Sequence, residues 1–223
     1  MSNNGNEQYV KRFNKGFIIS HWVNVAAFFI LFLSALPMYT EWFDWVWVIF
    51  GGPENARLVH RIAAVGFILP VFILIFFDRE GLKRWAKNLF TWGKHDFEFL
   101  KEFPKEFFGG AAKPIKQDFF NAGEKINSWL QIIMWGCLVG SGFMMWFADH
   151  LPQGIVMWAY PVHNIGAALA GAVAIGHIYM SIALARASLR GMTKGDVTIE
   201  YAKEHHGRWY DELQEEKKLK KDA

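Results

Sequence analysis

Four long stretches without charged residues alternate with strongly charged segments along the chain. A helix needs about 20 apolar residues to cross the hydrocarbon core of a membrane, and each stretch comes close to that length. Only helices and closed barrels can cross a bilayer, and stretches this long and continuous are helices. The pattern therefore predicts an all-α membrane protein, a four-helix bundle with spans near residues 17–38, 58–77, 126–148 and 159–186. Pro161 is expected in the first turn of the fourth span.

The basic residues predict the orientation of these spans. Of the 24 lysines and arginines, all except Arg57 and Arg61 fall in the N-terminal segment, the loop 78–125 or the tail 187–223, if Arg186 at the end of the fourth span is counted with the tail. An even number of spans places these three segments on one side of the membrane, and the positive-inside rule assigns that side to the cytoplasm. Both termini are therefore expected in the cytoplasm.

The segments outside the spans are expected to differ in character. The loop 78–125 alternates aromatic and charged residues, which predicts amphipathic pieces lying partly on the membrane surface. The tail from Lys203 onward is highly charged and is expected to be solvated or docked on a partner. A length of 223 residues without an internal repeat favours one membrane domain over residues 1–223. The single cysteine, Cys137, excludes a disulfide or a thiolate cluster within the chain.

Four of the eight histidines fall within or at the ends of the predicted spans. An ionisable residue inside a membrane is a candidate for a functional site. His21 lies near the cytoplasmic end of the first span, and His60 lies at the outer end of the second. His163 lies near the outer end of the fourth span, and His177 follows it by 14 residues. On a helix, that spacing places both side chains on one face, about 21 Å apart.

These positions predict two histidine pairs at two depths, His21 with His177 on the inner side and His60 with His163 on the outer side. Each pair can clamp the iron of a b-type haem, and an iron with two histidine ligands carries electrons without activating a substrate. Small residues near the ligands leave room for flat macrocycles, although they also promote plain helix packing. They are Ala63, Ala64, Gly66, Gly166, Ala167, Ala170, Gly171, Ala174 and Gly176. The alternative is that each histidine is only hydrogen-bonded across helices.

The remaining histidines are not expected to be haem ligands, because they have no partner at a matching depth, although His150 could serve near the outer haem. They are His95 in the inner loop, His150 at an outer helix end, and His205 and His206 in the tail.

Several local motifs accompany the histidines. They are Ser20-His21-Trp22, Leu58-Val59-His60-Arg61, Asn121-Ala122-Gly123-Glu124-Lys125, Gly191-Met192, Gly195-Asp196-Val197-Thr198, Ala202-Lys203-Glu204-His205-His206 and Trp209. With these motifs, the chain resembles the gamma subunit (cytochrome b556) of membrane-bound respiratory formate dehydrogenase over nearly its whole length.

The resemblance implies the same two haem pairs and a site for menaquinone or ubiquinone beside the inner haem. It places that site around His177, with Asn121 and Gly123. Family members often have glutamine where this chain has Glu124. From the residues alone, Asn121 is a neutral amide that could bond a quinone carbonyl directly or through water. It could equally be an ordinary helix-start residue.

The resemblance also implies a division of labour among subunits of a complex in the bacterial inner membrane. A molybdenum or tungsten subunit oxidises formate, and an iron–sulfur subunit relays electrons to this chain, which reduces quinone on the cytoplasmic side. The catalytic residues for formate then belong to another subunit, the complex is expected to form a higher oligomer, and no nucleic-acid partner is expected.

Two other functions are compatible with parts of the pattern. The first is a cytochrome b subunit of another quinone-linked oxidoreductase, such as a hydrogenase or a thiosulfate-type reductase. The second is a small transporter that uses intramembrane histidines as proton relays. The lack of an intramembrane carboxylate and of interrupted spans in the sequence argues against the transporter.

Overall fold

The computed structural model describes residues 7–222, with the side chains of Glu106, Lys221 and Asp222 excepted. Residues 1–6 and 223, which belong to the predicted N-terminal segment and tail, lie outside the described residues. The described residues form ten α-helices and two short β-strands. In chain order they are β1 Tyr9–Lys11, α1 Lys15–Tyr39, α2 Trp45–Phe50, α3 Pro53–Phe77, α4 Arg79–Phe90, α5 Lys94–Phe107, α6 Ala122–Trp146, α7 Gln153–Tyr179, α8 Leu189–Thr193, β2 Asp196–Thr198, α9 Ile199–His205 and α10 Gly207–Asp222.

Among the described residues, four helices are long and apolar enough to cross a membrane, namely α1, α3, α6 and α7 with the π-helical turn that follows it. The four predicted spans are thus confirmed as helices. The second and third begin earlier than predicted, because α3 starts at Pro53 and α6 at Ala122. The start of a helix depends on how its first N–H groups are capped. The spans were predicted from stretches without charge, so each predicted span began after charged residues such as Glu54 and Lys125.

The fourth spanning helix differs most from its prediction, which was 159–186. It begins at Gln153, so Pro161 lies inside the helix and the expected first-turn role of this proline is wrong. The α-helix ends at Tyr179 and continues as a π-helical turn, Met180–Leu184. Prolines are tolerated inside membrane helices, where neighbouring groups can bond the freed backbone carbonyls.

The chain divides into two compact units. We call residues 15–79 and 132–172 the helix unit, and residues 7–14, 80–131 and 173–222 the terminal unit. The interpretation of 1–223 as a single membrane domain stays a prediction.

Within the helix unit, polar side chains join the long helices through backbone carbonyls. The Ser20 hydroxyl of α1 donates to the carbonyl of Pro70 in α3 at 3.1 Å. The Trp135 indole of α6 donates to the carbonyl of Phe67 in α3 at 3.0 Å. A polar group in an apolar setting needs such a partner, so these bonds favour one packing of the helices.

Within the terminal unit, the two ends of the chain meet. β1 and β2 pair as antiparallel strands, with Val10 opposite Val197, so the predicted all-α chain contains one short strand pair. Two helices, α4 and α5, form in the loop that was expected to hold amphipathic pieces. The location of these helices on a membrane surface stays a prediction.

The first part of the tail packs on its own chain. Trp209 is buried, and its ring centre lies 5.2 Å from that of Phe119. The Lys116 ammonium pairs with the Asp211 carboxylate at 2.7 Å. The expectation that the tail from Lys203 is solvated or docked on a partner is therefore wrong for Trp209, whereas the Asp211 side chain is exposed to solvent.

Candidate functional site

The predicted outer pair of histidines comes together in the helix unit. The ring centres of His60 on α3 and His163 on α7 lie 6.4 Å apart, with an angle of 60° between the ring planes. Two imidazoles on opposite sides of one metal ion, each with its nitrogen about 2 Å from the metal, hold their ring centres about 6 to 6.5 Å apart. The two rings are therefore spaced as two ligands of one iron would be.

Each of these histidines is held by a buried serine. The Ser34 hydroxyl of α1 lies 2.9 Å from Nδ1 of His60, and the Ser141 hydroxyl of α6 lies 2.9 Å from Nδ1 of His163. Each spanning helix thus contributes one residue to the outer site. No signal in the sequence distinguishes Ser34 and Ser141 from other serines, and sequence reasoning missed both.

The serines favour one tautomer of each ring, the one with its proton on Nδ1. A hydroxyl has one proton to donate. Ser34 donates it to the backbone carbonyl of Leu31 at 3.1 Å, and Ser141 donates it to the carbonyl of Cys137. Each hydroxyl oxygen can then only accept from the N–H at Nδ1 of its histidine. This leaves the lone pair of Nε2 on both rings for a metal, as a haem ligand requires.

Small residues beside the two rings also leave room for a flat macrocycle. A Cβ atom placed on Gly142 would lie 3.4 Å from Cε1 of His163, so a larger side chain would crowd the ring. Ala63 is buried one turn after His60. Spacing, tautomer and small neighbours all fit a haem held by this pair.

We expect Ser141→Ala to weaken haem binding at the outer site by about 10-fold or more, the usual cost of losing a group that orients a metal ligand. The measurement is the transfer of haem to excess apomyoglobin. Ser181→Ala is the matched control, because the Ser181 hydroxyl donates to the backbone carbonyl of His177 in the same helix. Equal haem retention in the two variants would contradict an orienting role for Ser141.

The predicted inner pair is distributed over the two units. His21 is half-buried on α1 in the helix unit, with its ring centre 5.5 Å from that of Trp22. His177 lies exposed near the end of α7 in the terminal unit, within electrostatic range of Glu124. Each is on a spanning helix as predicted, and their pairing stays a prediction.

Asn121 caps helix α6. Its side-chain oxygen accepts from the N–H of Glu124 at 2.8 Å, and the Glu124 carboxylate accepts from the N–H of Asn121 at 2.9 Å. This reciprocal arrangement is a capping box. The cap uses the amide oxygen of Asn121, while the NH₂ group supplies two further donors.

Gly123 lies where a side chain would press on the Asn121 cap. A Cβ atom at this position would lie 3.2 Å from the capping oxygen of Asn121. It would also lie 3.7 Å from Phe99 and 3.9 Å from Phe103. The two residues that the resemblance assigned to a quinone site thus lie together, beside aromatic rings of α5.

A buried arginine holds the same helix start. The Arg12 guanidinium lies 3.0 Å from both carboxylate oxygens of Glu124 and donates to the carbonyl of Phe119 at 2.8 Å. The Arg12 side chain is 1% exposed. A buried charge is tolerated only when it is paired and hydrogen-bonded, and Glu124 supplies the pair.

Sequence reasoning missed a buried cluster of charges beside the capping box. The Lys125 ammonium lies 2.8 Å from Asp96 and 3.3 Å from Asp118, and it donates to the carbonyl of Thr91 at 3.0 Å. His95 contacts Asp118 at 2.8 Å. The side chains of His95, Asp96 and Asp118 have the spacing of metal ligands. In this cluster the positive charge that faces the carboxylates of Asp96 and Asp118 is the Lys125 ammonium.

Asp118 and His206 connect this cluster to the tail. Burial alone would raise the pKa of the Asp118 carboxyl, but hydrogen bonds from His95 and Arg208 keep that pKa below its ordinary value. His206 is fully buried, with Nδ1 2.9 Å from the backbone carbonyl of Asp118. Burial and the positive charge of Arg12 lower the pKa of His206 to about 3, so its ring is neutral at physiological pH.

The chain is similar to known proteins over most of its length. Residues 12–195 match the sequence profile of the prokaryotic cytochrome b561 family. The chain is 28% identical over 199 residues to the nitrate-inducible formate dehydrogenase cytochrome b556(Fdn) subunit of Escherichia coli, with 87% of each chain covered. It is 29% identical over 202 residues to the cytochrome b556(fdo) subunit of the same species, with 87% of this chain and 89% of the relative covered. For the formate dehydrogenase cytochrome b556 subunit of Haemophilus influenzae the identity is 27% over 198 residues, covering 87% of this chain and 79% of the relative.

Proposed function

The chain belongs to the prokaryotic cytochrome b561 family, and we therefore propose that it is the di-haem cytochrome b membrane subunit of a formate dehydrogenase complex. The family and the four apolar helices make it a multi-pass membrane protein that carries b-type haem and serves electron transport. The similarity to formate dehydrogenase cytochrome b556 subunits over most of the chain favours this complex among quinone-linked oxidoreductases.

The observation that carries the proposal is the outer histidine pair. His60 and His163 have the ring spacing that a shared iron would need, and their contacts with Ser34 and Ser141 favour the tautomers that leave Nε2 free for a metal. We assign the second haem to His21 and His177 at the inner depth. Haem held by two histidines supplies one-electron transfer and leaves no open coordination position for a substrate. The protein holds the rings of the outer pair in place through Ser34 and Ser141.

Electrons are proposed to enter at the outer pair from an iron–sulfur subunit and to leave at the inner pair towards a quinone. Menaquinone or ubiquinone takes up two electrons and two protons from the cytoplasm to give the quinol. The proposed site consists of His177, Asn121 and Gly123. The NH₂ group of Asn121 can donate to a quinone carbonyl while the amide oxygen caps α6.

The remaining assignments follow from this role and from the distribution of charge. A molybdenum or tungsten subunit oxidises formate, so the formate-oxidising site lies in another subunit and this chain is the electron-transfer and quinone-reducing subunit of the enzyme. The complex lies in the bacterial inner membrane and forms a higher oligomer. Both termini of this chain are in the cytoplasm, where the basic segments belong.

We expect Asn121→Ser to raise the half-saturating concentration of quinone about 3- to 10-fold, the range for losing one hydrogen bond to a ligand. Serine caps a helix about as well as asparagine, so the stability of α6 is preserved while the NH₂ donors are lost. The measurement is the reoxidation of pre-reduced haem in the purified protein by a short-chain menaquinone analogue, followed by stopped-flow absorbance.

Asn121→Ala is the companion variant, since it removes the cap and the donors together. Its thermal midpoint should fall, whereas that of Asn121→Ser should not. If Asn121→Ser reoxidises with unchanged quinone dependence, Asn121 is only a capping residue and the proposed quinone site is wrong.

A further inference from the structure

A row of aromatic rings on α5 connects the two places where the proposed quinone residues lie. Phe99, Phe103 and Phe107, here called the α5 aromatic stripe, are spaced one turn apart. Neighbouring ring centres lie 5.8 and 5.9 Å apart, with the planes tilted by 34° and 44°. Because residues four apart share a face of a helix, the three rings form one continuous surface.

One end of the stripe meets the start of α6. Phe99 and Phe103 are the side chains that a Cβ atom on Gly123 would contact, at 3.7 and 3.9 Å. These rings therefore lie within ordinary contact distance of the start of α6, beside the Asn121 cap.

The other end of the stripe meets the end of α7. The ring centre of Phe107 lies 5.4 Å from that of Tyr179, with the planes at 66°. Tyr179 is two residues beyond His177 on the same helix. The stripe thus runs from the capping residue of α6 to the end of α7, where Tyr179 and His177 share a helical turn but leave it on different sides, and all of these residues belong to the terminal unit.

We propose that the α5 aromatic stripe forms one wall of the quinone site and binds the flat quinone ring by stacking. This inference rests on the proposed function, in which His177, Asn121 and Gly123 form the quinone site. It adds the apolar surface of that site. Ligand sites combine a mainly apolar and aromatic lining with a few polar groups that fix orientation. Aromatic rings supply that lining for a planar ring, and the three phenylalanines are only half-buried, so they keep surface that a ligand can cover.

The alternative role for such a stripe is simply to seat an amphipathic helix on an apolar surface. Helix packing needs apolar volume, and leucine supplies most, though not all, of the volume of phenylalanine. Stacking on a quinone ring needs an aromatic face, which leucine lacks. Aromatic and aliphatic replacements at one position therefore separate the two roles.

The test compares Phe103→Leu, Phe107→Leu and Phe103→Tyr in the purified full chain with its haem. We expect each leucine variant to raise the half-saturating concentration of the short-chain menaquinone analogue about 3- to 10-fold, with unchanged haem spectra. Phe103→Tyr should retain the wild-type value, since it keeps the ring. Phe97→Leu is the control, because Phe97 lies on the same helix and its ring meets Trp92 instead, at 5.9 Å.

Two results would overturn the inference. One is unchanged quinone dependence in both leucine variants. The other is equal loss in Phe103→Leu and Phe103→Tyr, which would indicate packing. The Asn121→Ser variant separates this failure from that of the proposed function. If Asn121→Ser impairs reoxidation and the leucine variants do not, only the stripe is misassigned.

Discussion

His163→Ala is expected to halve the haem content of the purified protein, from two haem b per chain to one. The ring of His163 is one of two that stand 6.4 Å apart in the outer site, and a haem held there would lose one of the two residues proposed to bind it, so it should not survive purification. The second haem should keep its spectrum, because its proposed ligands are different residues. The pyridine haemochrome assay and a reduced-minus-oxidised spectrum measure both quantities.

Two comparisons make this result specific. His60→Ala should give the same loss, since it removes the opposite ligand of the same pair. His150→Ala should retain both haems, because His150 is exposed in a short turn between α6 and α7. A simultaneous loss of both haems from His163→Ala, in a protein that still inserts into the membrane, would be incompatible with the proposed pairing.

Lys125→Met is expected to lower the free energy of unfolding of the protein by about 3 to 5 kcal/mol, the usual cost of removing one partner from a buried ion pair. The side chains of Lys125 and Asp96 are fully buried, and the ammonium also serves Asp118 and the carbonyl of Thr91. Methionine fills a similar volume but leaves these groups without their donor. Denaturant unfolding in a mild detergent, followed by tryptophan fluorescence, measures the change.

The matched control for this variant is Lys116→Met in the same unit. The Lys116 ammonium pairs with Asp211 at 2.7 Å, but both side chains are more than half exposed. Water solvates the Asp211 carboxylate after the substitution, so little change in stability is expected. A Lys125→Met variant as stable as Lys116→Met would mean that the buried cluster contributes nothing to holding α6 against α5.

The sequence by itself determined the number of spanning helices and the identity of the candidate haem ligands. The spans follow from the length of uncharged stretches, because the thickness of the bilayer sets how many apolar residues a helix needs. His60 and His163 were identified from depth alone, since an ionisable group inside a membrane needs a reason to be there. Helix ends were less well predicted, as Pro161 shows, because they depend on individual backbone groups.

The tertiary structure decided which residues meet across helices. Ser34 and Ser141 are ordinary residues in apolar stretches, and only packing reveals that they orient the two outer histidines. The same holds for Lys125, whose partners lie in separate segments, and for His206, which was expected in a solvated tail. Periodicity and hydropathy describe how each segment faces water or lipid. They carry no information about which side chain of a distant segment will supply a hydrogen bond or a countercharge, and the folded chain alone determines that.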